Sequence, residues 1–336
     1  MTGGTAPDRG TAPDRASAPD RASVPWTTAE AAGLANSALL SRHPAPPSED
    51  ALAVREILAR RPLIVTGLPV PPMDADAIAV AAEHLAGAAD AVLSGDSGRA
   101  RVQFPPSYRA ALIREAGLRG WLGVNARDRN RVALEGELLG IADAGAAGVL
   151  AVTGDPVEAG HRPDAQPVFD LDGITIAHLA SRAGLVTAVA EAPLSPPVGG
   201  CGRAARALHK QQAGAELLMT QYAGEPSRLA DFVAELRSLG GTLPVLPGVP
   251  VVIDRAGAEV LASFGDAVLP AGYVQRVLDA RDPFAEGVRA AVGLGQRLLA
   301  LPDVAGVVAA GGATFGQEPE FARALGIIAR ELGGGS

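Results

Sequence analysis

Gly148-Val-Leu-Ala-Val-Thr-Gly-Asp155 is the stretch on which the reading of this chain turns. The run from Gly148 to Thr153 is apolar, too short for a helix, and stops at a glycine followed by a carboxylate. Such a run bounded by a turn signal reads as a buried strand. Seven more runs of this kind occur, at Leu63–Thr66, Ala91–Ser94, Trp121–Val124, Val186–Glu191, Glu216–Thr220, Leu243–Leu246 and Val304–Ala309. Amphipathic stretches separate them: Ala75–Ala88, Ser107–Ala116, Arg129–Ala144, Ile174–Ala183, Cys201–Ala213, Pro226–Leu239, Arg255–Phe264 and Pro283–Leu299. Eight strands alternating with helices predict an α/β fold, a (β/α)8 TIM-type barrel forming one domain over 51–333. A doubly wound open sheet is the alternative, but no Gly-x-Gly-x-x-Gly follows the first strand.

Outside that alternation the text changes. Residues 1–24 repeat Ala-Pro-Asp-Arg three times at a six-residue period, with almost no large apolar side chain. Such a segment cannot bury enough surface to offset its ordering entropy, so residues 1–50 are expected to be a disordered tail, with one short helix around Ala29–Leu40. The chain carries 37 acidic against 29 basic residues, a formal charge of -8. That balance lacks the footprint of a nucleic-acid or anionic-membrane binder. A single cysteine, Cys201, excludes an internal disulfide and any multi-cysteine metal or cluster site. No apolar run is long enough to span a bilayer, and no secretory signal is present, so the expected compartment is the cytoplasm.

A barrel gathers its chemistry where its strands end. Asp155 stands at such an end, after a glycine that lets backbone approach a ligand; its plain alternative is to cap the following turn. Asn125-Ala-Arg-Asp-Arg-Asn-Arg131 opens the helix after the third strand. Cations there oppose the helix dipole unless an anionic ligand or carboxylates answer them, and Asp128 or Asn130 would serve as an ordinary N-cap. Lys210 is the only lysine among the 29 basic residues. It precedes a strand ending in Thr220 and Gln221, and the amide of Gln221 both donates and accepts, as reading the edge of a heterocycle requires. A surface lysine and a structural glutamine are the bland readings. The five histidines show no ligand spacing, and no nucleophilic triad is apparent. Redox chemistry would therefore need a bound cofactor.

Three ordered blocks carry a resemblance: Asn125 to Gly140, Val149 to Asp172, and Lys210 to Gln221 followed by Leu243-Pro-Val-Leu-Pro-Gly-Val-Pro250. Over about 120–285 the chain resembles methylenetetrahydrofolate reductase, in the form found in bacteria fused to homocysteine methyltransferases. The resemblance implies an eight-stranded barrel that holds FAD. It implies hydride passed from NADH or NADPH through the flavin to 5,10-methylenetetrahydrofolate, giving 5-methyltetrahydrofolate for methionine synthesis. By position it assigns Thr153, Gly154 and Asp155 to the flavin's pyrimidine edge and the folate, Lys210 to the ribityl-phosphate part, and Gln221 with Thr220 to substrate. Asn125 and Arg127 join the cofactor set. A folate-like small molecule is the implied partner, and members of the family often associate.

One departure stands out. The family's first strand ends in a glutamate, a few residues before a Pro-Pro, that serves as proton donor. Here the text is Thr66-Gly-Leu-Pro-Val-Pro-Pro72, with Leu68 near the acid position. Asp96, in Ser94-Gly-Asp-Ser-Gly98, is the candidate replacement acid. Two further readings therefore stand beside the reductase: a divergent flavin-dependent barrel acting on another small molecule, and a non-catalytic folate- or flavin-binding protein.

Overall fold

The computed structural model of the protein describes residues 34, 36–41, 44–96, 100, 102–155, 164–198, 200–265, 267–312 and 315–334. The Ala-Pro-Asp-Arg repeats lie outside these residues. So does most of the segment read as a helix around Ala29–Leu40, whose described part forms turns. The elements run α1 (Glu49–Arg60), β1 (Leu63–Gly67), α2 (Asp76–Leu85), β2 (Ala91–Ser94), α3 (Pro106–Glu115), β3 (Gly120–Asn125), α4 (Arg131–Asp143) and β4 (Gly148–Val152). They continue α5 (Gly173–Arg182), β5 (Val186–Glu191), α6 (Arg203–Gln212), β6 (Leu217–Thr220), α7 (Pro226–Ser238) and β7 (Val245–Val251). Last come α8 (Arg255–Ala262), α9 (Tyr273–Leu278), α10 (Pro283–Leu299), β8 (Gly306–Gly311) and α11 (Glu318–Glu331).

Strands β1 to β8 pair in sequence order, every pairing is parallel, and β8 closes on β1 through Leu63 opposite Gly306. The (β/α)8 barrel is therefore the fold. Its apolar residues form two layers. The larger lies between strands and helices, and the smaller fills the barrel axis around Trp121, Leu63, Leu217 and Leu246. Room for the indole comes from Gly148, where an added Cβ would lie 3.0 Å from the Trp121 ring and 2.3 Å from the Val186 carbonyl oxygen.

Helix α1 closes the N-terminal end of the barrel. Ala51 and Val54 are fully buried in the axial cluster, and ion pairs Arg55–Glu216 and Arg61–Asp90 fasten the region to the entry ends of β6 and β2. The boundary drawn from sequence at residue 50 falls in the first turn of this helix. Upstream, Ala38 and Leu39 donate backbone N–H to Glu135, and Leu34 and Leu39 are buried. Ser48 caps α1, accepting from Ala51 N at 3.0 Å and donating to Ala146 O at 2.8 Å. Ser48→Ala is expected to cost about 1 kcal/mol, the usual worth of an N-cap, measured as a lowered urea midpoint with unchanged slope.

Candidate functional site

Three glycine and alanine positions keep the C-terminal mouth of the barrel open. Ala190, Gly248 and Ala310 line a cavity of about 800 Å³ whose floor is apolar, set by Leu93, Leu150, Met219 and Val308. At Gly248 a Cβ would meet the Tyr222 ring at 2.8 Å, so even alanine would crowd the wall. Thr153, Gly154 and Asp155 follow β4 on one side of the cavity; Thr220 and Gln221 end β6 on another. Asp96, Arg127 and Lys210 also line it. Of the residues assigned to cofactor, substrate or catalysis from sequence, Asn125 alone does not line the cavity, and it is buried.

Gly154 adopts φ +93, and a Cβ there would approach Arg127 Cβ at 3.1 Å. That left-handed turn needs glycine, and it lays the β4 tip against the β3 tip. That contact is fixed by Ala126 N donating to Thr153 O at 3.2 Å, and Gly173 N at the start of α5 donates to Thr153 Oγ1 at 3.1 Å. Asp155 is exposed; the turn it would cap lies outside the described residues. Gln221 is half-buried, with Oε1 accepting from Tyr222 N at 3.0 Å. The Tyr222 hydroxyl donates to Ala310 O at 2.9 Å, and burial pushes its ionisation well above the ordinary phenol range, so it acts as a strut.

Carboxylates answer all three arginines that open α4. Arg131 forks onto Asp170, whose carboxyl that hydrogen bond holds down at about 2. Arg127 forks onto Asp128 at 2.7 and 2.6 Å, and Arg129 meets Asp96 at 2.6 Å. Asn130 is the N-cap, accepting from Ala133 N at 3.0 Å. The dipole penalty read from sequence is thus relieved inside the protein.

Asp96 is held from four directions. It accepts from Asn125 N at 2.9 Å, Asn125 Nδ2 at 2.6 Å, Arg129 Nη1 at 2.6 Å and Gln103 Nε2. Its side chain is 2% exposed. Gly123 makes the approach possible, because a Cβ there would sit 2.7 Å from Asp96 N. The β2 tip therefore folds across the β3 tip, and no residue of β1 lines the cavity. Leu68 is buried, its N–H donating to Leu93 O at 3.0 Å.

The opposite wall was only partly legible. Glu191 ends β5 and is buried among Arg203 at 2.8 Å, Lys210 at 2.7 Å and Arg206 at 3.7 Å. Burial raises its ionisation, but attraction from Lys210 and hydrogen bonds from Lys210 and Arg203 outweigh it and hold the carboxyl below its ordinary value. Lys210 Nζ also donates to Ala190 O at 2.5 Å, and burial lowers its ionisation despite Glu191. Arg203, Arg206 and Lys210 sit at i, i+3 and i+7 on one face of α6, a spacing visible in the sequence. Their meeting with Glu191 was not, since it needs the β5–α6 crossover to fold.

Among the described residues, no three side chains are placed to hold a metal ion, and no helix is long and apolar enough to cross a membrane. The family model for methylenetetrahydrofolate reductase matches residues 106–300, more than half of the chain and the part that builds β3 to β7 and most of the cavity. The chain belongs to the methylenetetrahydrofolate reductase family. Among solved structures it is similar to an uncharacterised protein from Clostridium thermocellum that binds two copies of 5-methyl-5,6,7,8-tetrahydrofolic acid. That likeness has 14% identity and a TM-score of 0.57, and it covers 81% of this chain and 96% of that one. Similarity extends to oxaloacetate acetylhydrolase in complex with 3,3-difluorooxalacetate, at 13% identity and TM-score 0.48 over 79% of this chain and 81% of that one. At these identities the likeness is one of fold. No curated protein matches the chain.

The lining of the cavity in this reductase-family member suits the group that the family implies. An apolar floor, a mouth cleared of side chains, polar groups on two strand tips and a cationic helix face suit a flat heterocycle carrying an anionic tail. Those residues fit a flavin nucleotide.

Proposed function

We propose that the protein is a flavin-dependent oxidoreductase that binds a reduced folate in the barrel mouth, with NADH or NADPH as hydride donor and 5,10-methylenetetrahydrofolate as acceptor. The observation that carries this reading is the cavity itself, where Asp155 and Gln221 reach one apolar floor from β4 and β6. When bound, the flavin supplies hydride chemistry between nicotinamide and the one-carbon unit. The chain contributes binding and orientation. Met219, Leu150 and Val308 exclude water beneath the rings, the Gln221 amide addresses a pterin edge, and the Asp155 charge faces the rim where a cationic one-carbon unit would be favoured. Asp96 is assigned to positioning, because each of its four contacts uses it as an acceptor.

A second reading is favoured by one feature: near the position where the family carries its acid stands a buried Leu68, and Gly95 and Asp96 lie close against Gly123. Without a positioned acid, opening a methylene bridge would forfeit about 10²–10⁴ in rate. This reading keeps the flavin and changes the acceptor. The purified protein should be yellow, and stopped-flow mixing with NADH or NADPH should bleach it. Reoxidation by methylenetetrahydrofolate supports the first reading, and failure to reoxidise supports the second. A colourless protein that binds neither riboflavin nor its nucleotides overturns both. Asp155→Asn and Gln221→Ala should each lower turnover about tenfold, the worth of one rim charge or hydrogen bond of about 1.4 kcal/mol. The melting temperature should not change in Asp155→Asn, whose side chain is exposed, and should fall only slightly in Gln221→Ala, which loses the hydrogen bond from Tyr222 N; wild-type turnover in both variants moves the site elsewhere.

A further inference from the structure

The cationic face of α6 contains a mismatch between charge and partners. Lys210, the residue the family resemblance assigns to a phosphate, spends two of its three protons on Ala190 O and Glu191 Oε2 and is 7% exposed. Arg203 spends its Nε on the carbonyls of Ser195 and Pro196 and Nη1 on Glu191. The Arg206 side chain, one turn from each, makes no hydrogen bond among the described residues. Its Nε is buried without an acceptor, and Glu191 lies beyond hydrogen-bond reach at 3.7 Å. All three side chains line the cavity with Glu191. Three cations face one carboxylate, so this wall keeps an excess of about two positive charges in a setting that excludes most water.

We propose that Arg206, and not Lys210, receives the phosphoryl oxygens of the ligand's anionic tail, and that Glu191 is the positioning residue that withdraws Lys210 from this task. The inference rests on the flavin reading above and narrows it. A guanidinium presents a planar fork that pairs two oxygens at once, and that fork is what Arg206 has left over. Orphaned polar groups buried in proteins ordinarily have a partner, and a phosphoryl oxygen would supply it. Glu191 does more than neutralise. By accepting from Lys210 and Arg203 together it keeps both cations inside the wall and leaves Arg206 as the cation with free donors. The Lys210 ammonium therefore serves the wall from within.

The test compares riboflavin, which has no phosphate, with riboflavin 5′-phosphate and FAD, by quenching of flavin fluorescence. The wild type should bind the phosphorylated flavins more tightly. In Arg206→Met that preference should fall about 10- to 100-fold, the worth of a charge-assisted hydrogen bond, with riboflavin affinity unchanged. Arg206→Lys, which keeps the charge without the fork, should recover part of it. The double variant Glu191→Gln, Lys210→Met removes the internal pair as a unit and should keep the preference within about threefold. The ratio between ligands is unaffected by general loss of stability, so a variant that is merely less stable does not mimic the result. An undiminished preference in Arg206→Met, or its loss in the double variant, overturns the inference and leaves the flavin reading standing. Loss of 5-methyltetrahydrofolate binding in Arg206→Met, with flavin preference intact, also overturns it, by assigning the arginine to the folate's glutamate carboxylates. A wild type that binds no flavin at all overturns both.

Discussion

Glu191→Gln should be among the most damaging single substitutions in the protein, costing about 3–5 kcal/mol, the cost of breaking a buried ion pair from one side. The carboxylate side chain is 2% exposed and is the one acidic partner within reach of Arg203, Arg206 and Lys210 among the described residues. The glutamine retains the shape and one acceptor but leaves the cations facing each other across a low-dielectric wall. Removing both ends of the shortest pair, in Glu191→Gln, Lys210→Met, should recover part of that loss, because a charge removed together with its partner costs less than one left alone, while Arg203 and Arg206 still lack their carboxylate. Urea unfolding of the three proteins checks this; a double variant no better than the single would show that the pair does not act as a unit.

The same residue sets an acid limit. Its carboxyl ionises below the ordinary value of 4.5 in the folded protein. The stability this contributes is fully present above 4.5 and is lost as pH falls through the depressed folded value, where the unfolded chain binds the proton first. Lys210 acts at the other end. With its folded value lowered from 10.5, the unfolded chain holds more protons just below 10.5, and stability rises with pH in that window. Melting temperature against pH should therefore show an acid limb in the wild type that is smaller in the double variant.

The barrel was legible because each strand sits between an axial core and a helix layer and so reads as an unbroken apolar run. The run Val186–Glu191 matches its strand at both ends. The seventh strand shows the limit of that rule. Leu243–Leu246 marked its start, yet β7 runs Val245–Val251 and carries Pro247 and Pro250. Prolines argue against a central strand because they offer no N–H. They are tolerated here because the described pairing with β6 ends at Pro247, beyond which β7 pairs with β8 alone. Helices α1, α9 and α11 went unnamed in the sequence; α1 buries only Ala51 and Val54, and the short α9 only Tyr273 and Val277, faces too narrow to announce themselves. At the site, the strand tips delivered Asp155 and Gln221, since position on a tip depends only on where an apolar run stops. Which cation meets which carboxylate is decided by three-dimensional approach. Hence Asp96 read as a candidate acid, and only the fold reveals the four donors around it.

Asp96→Asn separates the two roles that an aspartate at this place can have. As a proton donor it would leave folding intact when replaced, abolish turnover, and remove the alkaline limb of the pH–rate profile. The geometry argues for the opposite pattern. Arg129 would lose the carboxylate it meets at 2.6 Å. Arg109, 6% exposed with Nε lacking an acceptor and its ionisation lowered by burial, would lose the carboxylate whose attraction offsets that burial. Two cations left unanswered at a buried site should cost about 3 kcal/mol. Asn125, now sharing an amide with another amide, would let Asp128 and Arg127 drift from the rim, because Asn125 Oδ1 holds Asp128 N at 3.2 Å and Asp128 holds Arg127. The expected outcome is a large fall in stability and a raised KM, with kcat changed less and the pH–rate profile keeping its shape. A stable protein with kcat abolished would return Asp96 to the chemistry. That result would also supply the acid which Leu68 cannot.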